Sequence, residues 1–271
     1  MRASFGLCSI AHPEGIDEHI WNEPEPQPTK TAMKVKTILG SAATGGLFAM
    51  WLVAPAVAKD EPKPAAKWTE TLVPTDEKCL ATGRNEYFIL EPGYQLTLEG
   101  KEGGKKVDLI VTVLNETKVV DGVETRMLEE RESADGKLVE VSRNFFAVGE
   151  KTHHVYYFGE EVDIYKKGKV VSHEGAWLSG VKGAKFGILV PGQIKVGDRY
   201  YSEKAPKVAM DRQENISTDA MIETPAGKFA HCFKVKETTP LESGTEYKLY
   251  APGIGLVQDG SLKLRKHGFV K

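Results

Sequence analysis

The chain has only three cysteines in 271 residues and no excess of charge, with 36 Lys+Arg against 38 Asp+Glu. Balanced charge excludes a strong electrostatic hold on nucleic acid or on an anionic membrane surface. The basic C-terminal stretch "KLRKHGFVK" is short and reads as a strand end with solvated lysines. Phosphate-cradling loops are missing. Gly180-x-x-Gly183-x-x-x-Gly187 has neither the G-x-G-x-x-G spacing nor a G-K-[ST] ending, so no nucleotide cofactor is expected. The sequence has no G-x-S-x-G elbow and no H-E-x-x-H pair. Nowhere do apolar residues recur at i, i+3, i+4 and i+7 over three turns, which excludes a helical core.

What is present first is a second beginning. Met33 opens a stretch with Lys34 and Lys36, an apolar run from Ile38 to Val53, and a closing Ala56-Val57-Ala58. A basic start, an apolar core and small residues at the peptidase positions describe a secretory signal peptide over residues 33–58, cleaved between Ala58 and Lys59. A membrane anchor is the competing reading. Gly40, Gly45 and Gly46 dilute its first half, and Pro55 breaks a helix near its end. Residues 1–32 are acidic and aperiodic, and are expected to be a disordered extension upstream of the true start. The exported chain would run from Lys59 to Lys271, with a flexible leader over 59–67 and one domain over 68–271. No stable membrane insertion is expected after cleavage. Export leaves Cys79 and Cys232 together in an oxidising compartment, so they are expected to form a disulfide.

From Trp68 onward, short apolar–polar alternations end in turn pairs. Asp121-Gly122, Asp135-Gly136, Gly149-Glu150, Phe158-Gly159 and Lys167-Gly168 punctuate the middle; Ala226-Gly227, Ser243-Gly244 and Asp259-Gly260 punctuate the end. Asp-Gly between alternating runs signals a hairpin, because a type I′ turn needs positive φ at both central residues. Leu109, Val111 and Val113 share one strand face, as do Val139, Val141, Phe145 and Ala147. Glu140, Ser142 and Asn144 fall on the opposite face of that second run. The pattern predicts an all-β fold, an antiparallel meander forming a strongly curved sheet or partly open barrel. Residues 174–197 hold six glycines among apolar residues. They read as a crossover with glycines at bends, or alternatively as a flap with Trp177 and Phe186 as its apolar contacts.

Candidate chemistry is sparse. His153 and His154 are neighbours, so on a strand they point to opposite faces. A metal site would need His153 with Glu161 or Asp163 across a Phe158-Gly159 turn; the plainer reading is a hairpin with aromatic pairs, and no metal is expected. Ser172-His173-Glu174 has the letters of a triad without its geometry, since neighbours on a strand diverge. Arg143 shares a face with Val139 and Phe145, so it should find an acidic partner, line a polar cavity or snorkel at a rim. Ligand contacts are expected from Arg143, His153, Tyr157, Trp177 and Phe186. Asn115 and Asn215 begin glycosylation sequons.

"TPAGKFAHCFKVKETTPLESGTEYKLYAPGIGLVQDGSLKL" (224–264) and "NEYFILEPGYQLTLEG" (85–100) resemble the TapB-like group of exported bacterial β-domains of unknown function. The resemblance implies an antiparallel, partly closed sheet in or beyond the cell envelope, and it brings no catalytic residues. Tyr247-Lys248-Leu249-Tyr250 departs from the consecutive aromatics more usual there. The sequence thus points to a non-enzymatic exported domain, periplasmic or extracellular, that binds an apolar or polymeric ligand of the envelope or its surroundings in a concave face. Two alternatives remain open. One is a hydrolase of envelope or extracellular polymer using carboxylates such as Glu129, Glu130, Glu160 or Asp163, and the other is a structural interaction module.

Overall fold

The computed structural model describes residues 67–69 and 76–270. The proposed extension, the signal peptide, its cleavage site at Ala58 and Lys59, and nearly all of the leader lie outside the described residues. Within them the regular structure is strand, without a helix. The first half comprises β1 (Cys79–Leu80), β2 (Gly83–Asn85), β3 (Phe88–Leu90), β4 (Tyr94–Glu102), β5 (Lys105–Val120), β6 (Val123–Ala134), β7 (Lys137–Gly149), β8 (Val155–Lys166) and β9 (Lys169–Ser172). The second comprises β10 (Trp177–Leu178), β11 (Lys185–Val190), β12 (Arg199–Tyr201), β13 (Glu203–Lys204), β14 (Arg212–Thr224), β15 (Gly227–Thr238), β16 (Glu246–Ala251), β17 (Gly255–Asp259) and β18 (Leu262–Phe269).

Every strand ladder is antiparallel. Neighbours run β12-β14-β15-β16-β17-β18-β4-β5-β6-β7-β8-β11-β13, with β1 added to β7 and with β9 and β10 added to β8. The sheet curls until it is nearly closed into a barrel with one seam. Its two ends, β12 and β13, are consecutive in the chain and separated by Ser202 alone, so the covalent backbone bridges the seam. Gly187 of β11 makes that approach possible, since a Cβ there would lie 2.2 Å from the Tyr201 carbonyl oxygen.

Turn chemistry sets the meander. Asp121-Gly122, Asp135-Gly136 and Lys167-Gly168 have φ of 50° and 76°, 49° and 74°, and 53° and 75°. These paired positive values are those of type I′ turns, whose twist matches the flanking strands. Phe158-Gly159 differs from expectation. It is no turn; β8 runs straight through it. Gly159, with φ of 140°, marks a bulge where β8 carries one residue more than β7, and a Cβ there would meet the Trp177 carbonyl oxygen at 2.4 Å.

Two cores flank the β7–β8 ladder. The larger gathers Leu98, Val111, Val113, Phe146, Phe233, Val235, Val257 and Leu264 inside the curled sheet. The β2–β3 hairpin packs Ile89 and Leu90 into it, with the Phe88 ring set edge-on to Phe146 at 5.4 Å. The smaller core holds Val120, Val123, Phe145, Ala147, Tyr156, Phe158, Ile188 and Tyr200. The face of β7 carrying Phe145 and Ala147 therefore packs on the smaller core. Its polar face, with Ser142 and Asn144, turns inward with Phe146, because a strand between two buried layers need not put its polar face in water.

The Gly-rich crossover 174–197 is built into the sheet. β10 pairs with β8 through Trp177↔Glu160, and β11 pairs with β8 through Gly187↔Tyr157. Cys232 is a free, buried thiol, so the expected Cys79–Cys232 bridge is not formed. The physical reason is placement. Cys232 belongs to the larger core, whereas Cys79 packs against the smaller one. Burial pushes the Cys232 thiol up from its ordinary pKa.

Candidate functional site: an acidic cavity inside the barrel

Side chains on the concave face leave a cavity of about 240 Å³. One part of its wall is apolar: Phe88 and Ile89 of the hairpin, Tyr94 and Leu96 of β4, Val111 and Val113 of β5, with Ile254 and Leu256 before and on β17. The other part is carboxyl-rich. Glu130 comes from β6, Glu160 from β8, Glu203 from β13, Asp211 from the run into β14, Glu237 from β15 and Asp259 from β17. Against these six carboxyls, Lys248 of β16 is the single Lys or Arg among the described residues that line the space.

Lys248 is already engaged, its Nζ lying 3.3 Å from both Glu237 Oε1 and Asp259 Oδ1. Burial pulls its ammonium down, but Asp259 and Glu237 outweigh that and hold it well above its ordinary pKa. Glu130, Glu160, Glu203 and Asp211 have no cation at ion-pair distance among the described residues. Their pKa values rise accordingly. Burial drives Glu130 to about 7. Burial, reinforced by the Glu130 charge, drives Glu160 to about 8. Burial with Glu237 lifts Asp211 to about 6. Glu203 is pushed well above the carboxylate range, first by burial and then by Asp211. Like charges gathered in a low-dielectric space cannot all ionise, so protons take the place of missing counter-ions.

Ser202 closes the site at the seam. Its side chain is buried and faces the cavity, yet its Oγ has no hydrogen-bond partner among the described residues. Glu203 beside it is fixed by the Asp211 backbone N–H, which donates to Glu203 Oε1 at 2.5 Å. Tyr157 donates from its Oη to Asn144 Oδ1 at 2.7 Å and stacks on Phe146 at 4.9 Å.

Of the five expected ligand contacts, Tyr157 lines the cavity and the other four do not. Arg143 lies on the convex side, pairing with Glu129 at 3.4 Å and Asp163 at 3.1 Å. It found its acidic partners at a half-exposed surface, because residues 142, 144 and 146 claim the inward face. His153 is an exposed loop residue with φ of 55°, whose backbone carbonyl accepts from Asn85 Nδ2. Trp177 is buried behind Tyr157, ring centres 5.2 Å apart. Phe186 stacks on Phe158 at 4.4 Å and belongs to the smaller core. Of the four carboxylates named for hydrolysis, Glu130 and Glu160 face the cavity, while Glu129 and Asp163 are the outer partners of Arg143. Sequence reading missed Glu203, Asp211, Glu237, Lys248 and Asp259. Lys248 did leave a trace, as the departure from consecutive aromatics. The described residues contain no group of three or more His, Cys, Asp or Glu placed to hold a metal ion.

Fold and site together define an antiparallel β-barrel with an internal cavity, apolar on one part of its wall and carboxyl-rich on another. No family model matches this sequence, and no curated protein does. A solved structure titled as a "putative lipoprotein" from Parabacteroides distasonis ATCC 8503 aligns at 14% identity and a TM-score of 0.36, over 69% of this chain and 100% of that one. A likeness this low carries no argument about the fold or the site described above.

Proposed function

We propose that this chain is an exported, non-enzymatic β-barrel that holds a small, partly apolar ligand in its interior. The observation that carries the reading is the cavity itself. A site of about 240 Å³, walled on one part by aromatic and aliphatic side chains and with charged groups converging from the other, has the make-up of a ligand site. A barrel interior that needed only to be stable would be filled by side chains. The unpartnered Ser202 hydroxyl points the same way, since a buried hydroxyl without a partner costs stability unless something binds it. Export rests on the signal-peptide reading of residues 33–58, and the resemblance to the TapB-like envelope group agrees with it. The test is native mass spectrometry of the exported protein from its host, followed by denaturing release. A stoichiometric small molecule is expected. Fully empty protein that also shows no thermal stabilisation by apolar compounds would sink the reading.

One observation favours a second reading. Glu130 and Glu160 share the cavity with pKa values of about 7 and about 8, a range suited to acid–base work near neutrality. A hydrolase of this kind would lose turnover when either residue becomes Gln, whereas a binding protein has no turnover to lose.

A further inference from the structure

The charge balance of the cavity says what the polar end of its ligand must be. Six carboxyls and one lysine line the space, and the lysine is shared between Glu237 and Asp259. Glu130, Glu160, Glu203 and Asp211 are left without a described counter-ion, although they come from four separate segments. Such a cluster is costly, because each group must either ionise in a poorly solvated space or hold a proton it would lose in water. The cost disappears when a cation enters.

The remaining wall favours the same chemistry. Phe88, Tyr94, Phe146, Tyr157 and Tyr250 all contribute to the lining, and aromatic faces attract cations strongly once water is excluded. The seam adds Ser202, a lining residue buried at 2% exposure whose Oγ has no hydrogen-bond partner among the described residues. A bare metal ion fits poorly, because the described residues offer no converging group of three ligands and much of the wall is apolar. An organic cation meets both halves of the wall. The volume exceeds the roughly 150 Å³ that holds a benzene ring, so it suits a molecule of about ten non-hydrogen atoms.

We propose that the ligand of this cavity is an organic ammonium ion with a short apolar body, its charge set among Glu130, Glu160, Glu203 and Asp211. The proposal rests on the reading of the cavity as a ligand site. Binding would displace the protons those carboxyls hold, so affinity for a permanent cation should rise with pH. The groups facing the bound charge would be Glu130 from β6, Glu160 and Tyr157 from β8, Glu203 from β13, Asp211 before β14, Glu237 from β15, Lys248 and Tyr250 from β16, and Asp259 from β17.

A matched pair of probes tests this. Phenyltrimethylammonium carries a fixed charge, and tert-butylbenzene has the same shape without it. Both are compared on the purified full chain by thermal melts and ligand-detected NMR. The cation is expected to bind about tenfold tighter than the neutral isostere at about pH 8.5, and to weaken about tenfold by about pH 5.5. Glu160→Gln is expected to lower cation affinity about tenfold relative to that of the neutral probe, with Glu130→Gln as the second variant. Neutral probe binding as tightly as the cation overturns the charge assignment and leaves the cavity reading standing. Cation affinity unmoved by both variants overturns the placement among these carboxyls. Failure of both probes to bind overturns the cavity reading as well.

Discussion

Tyr157 and Glu160 lie three residues apart on β8 and both face the cavity. On a regular strand an odd separation would put them on opposite faces. The bulge at Gly159 reconciles them: Phe145 pairs with Gly159 and Phe146 with Tyr157, so Phe158 is the extra residue. The phase of β8 therefore flips between Phe158, which faces the smaller core, and Glu160, which faces the cavity. The place of Glu160 in the acidic site depends on this irregularity.

Replacing Gly159 should therefore be severe. In Gly159→Ala a Cβ at a φ of 140° would press on the Trp177 carbonyl oxygen at 2.4 Å. A loss of about 3 kcal/mol or more is expected in urea unfolding followed by tryptophan fluorescence. A loss below about 1 kcal/mol would show that β8 tolerates a regular register.

The empty protein should become less stable as pH rises. Glu130, Glu160 and Asp211 have folded-state pKa values of about 7, about 8 and about 6, all above their ordinary values. A raised carboxyl pKa means that the folded state binds protons more tightly than the unfolded state. Its stabilising contribution is complete below the unfolded pKa and is lost as pH climbs through the folded one. Thermal melts should thus show Tm falling between about pH 5 and about pH 8, and Glu160→Gln should flatten that fall. A Tm that climbs steadily across the window would contradict the protonated cluster.

Lys248→Met tests the ion triad. Removing the ammonium leaves Glu237 and Asp259 facing each other inside the barrel, having lost contacts of 3.3 Å each. Breaking a buried pair from one side costs about 3–5 kcal/mol. Adding Glu237→Gln to Lys248→Met should recover part of that loss, which denaturant titration can measure.

Tyr157→Phe removes the hydrogen bond from the phenol to Asn144 Oδ1 at 2.7 Å, together with the hydroxyl's interaction with the Glu160 carboxyl, and keeps the stack on Phe146. Leaving the amide oxygen short of a donor should cost about 1–2 kcal/mol without changing the fold. Matching far-ultraviolet circular dichroism with a lowered Tm is the expected pair of results.

Cys232 should be inert in the native protein, because it is fully buried and its thiol is pushed up. An alkylating reagent should label it only after unfolding. A non-reducing peptide map showing a Cys79–Cys232 cross-link would contradict the placement of the two residues against different cores.

The class of fold was legible in the linear chain. Asp121-Gly122 and Asp135-Gly136 impose type I′ turns by local backbone sterics, and Leu109, Val111 and Val113 mark an inward face by their period of two. Both signals act within a few residues, so they survive in a linear reading. Which faces look inward at β7 and β8 depends on long-range packing, because both sides of that ladder are buried. There Arg143 went to the convex side, and Ser142 and Asn144 went inward. The acidic cavity was likewise invisible beforehand. Glu130 and Glu160 could be named as candidate carboxylates, but with Glu203, Asp211, Glu237 and Asp259 they are scattered over 130 positions, and nothing in the linear chain groups the six. Curling the sheet until β12 meets β13 across Ser202 brings them around one space, where the scarcity of water and of positive charge gives them a common chemistry.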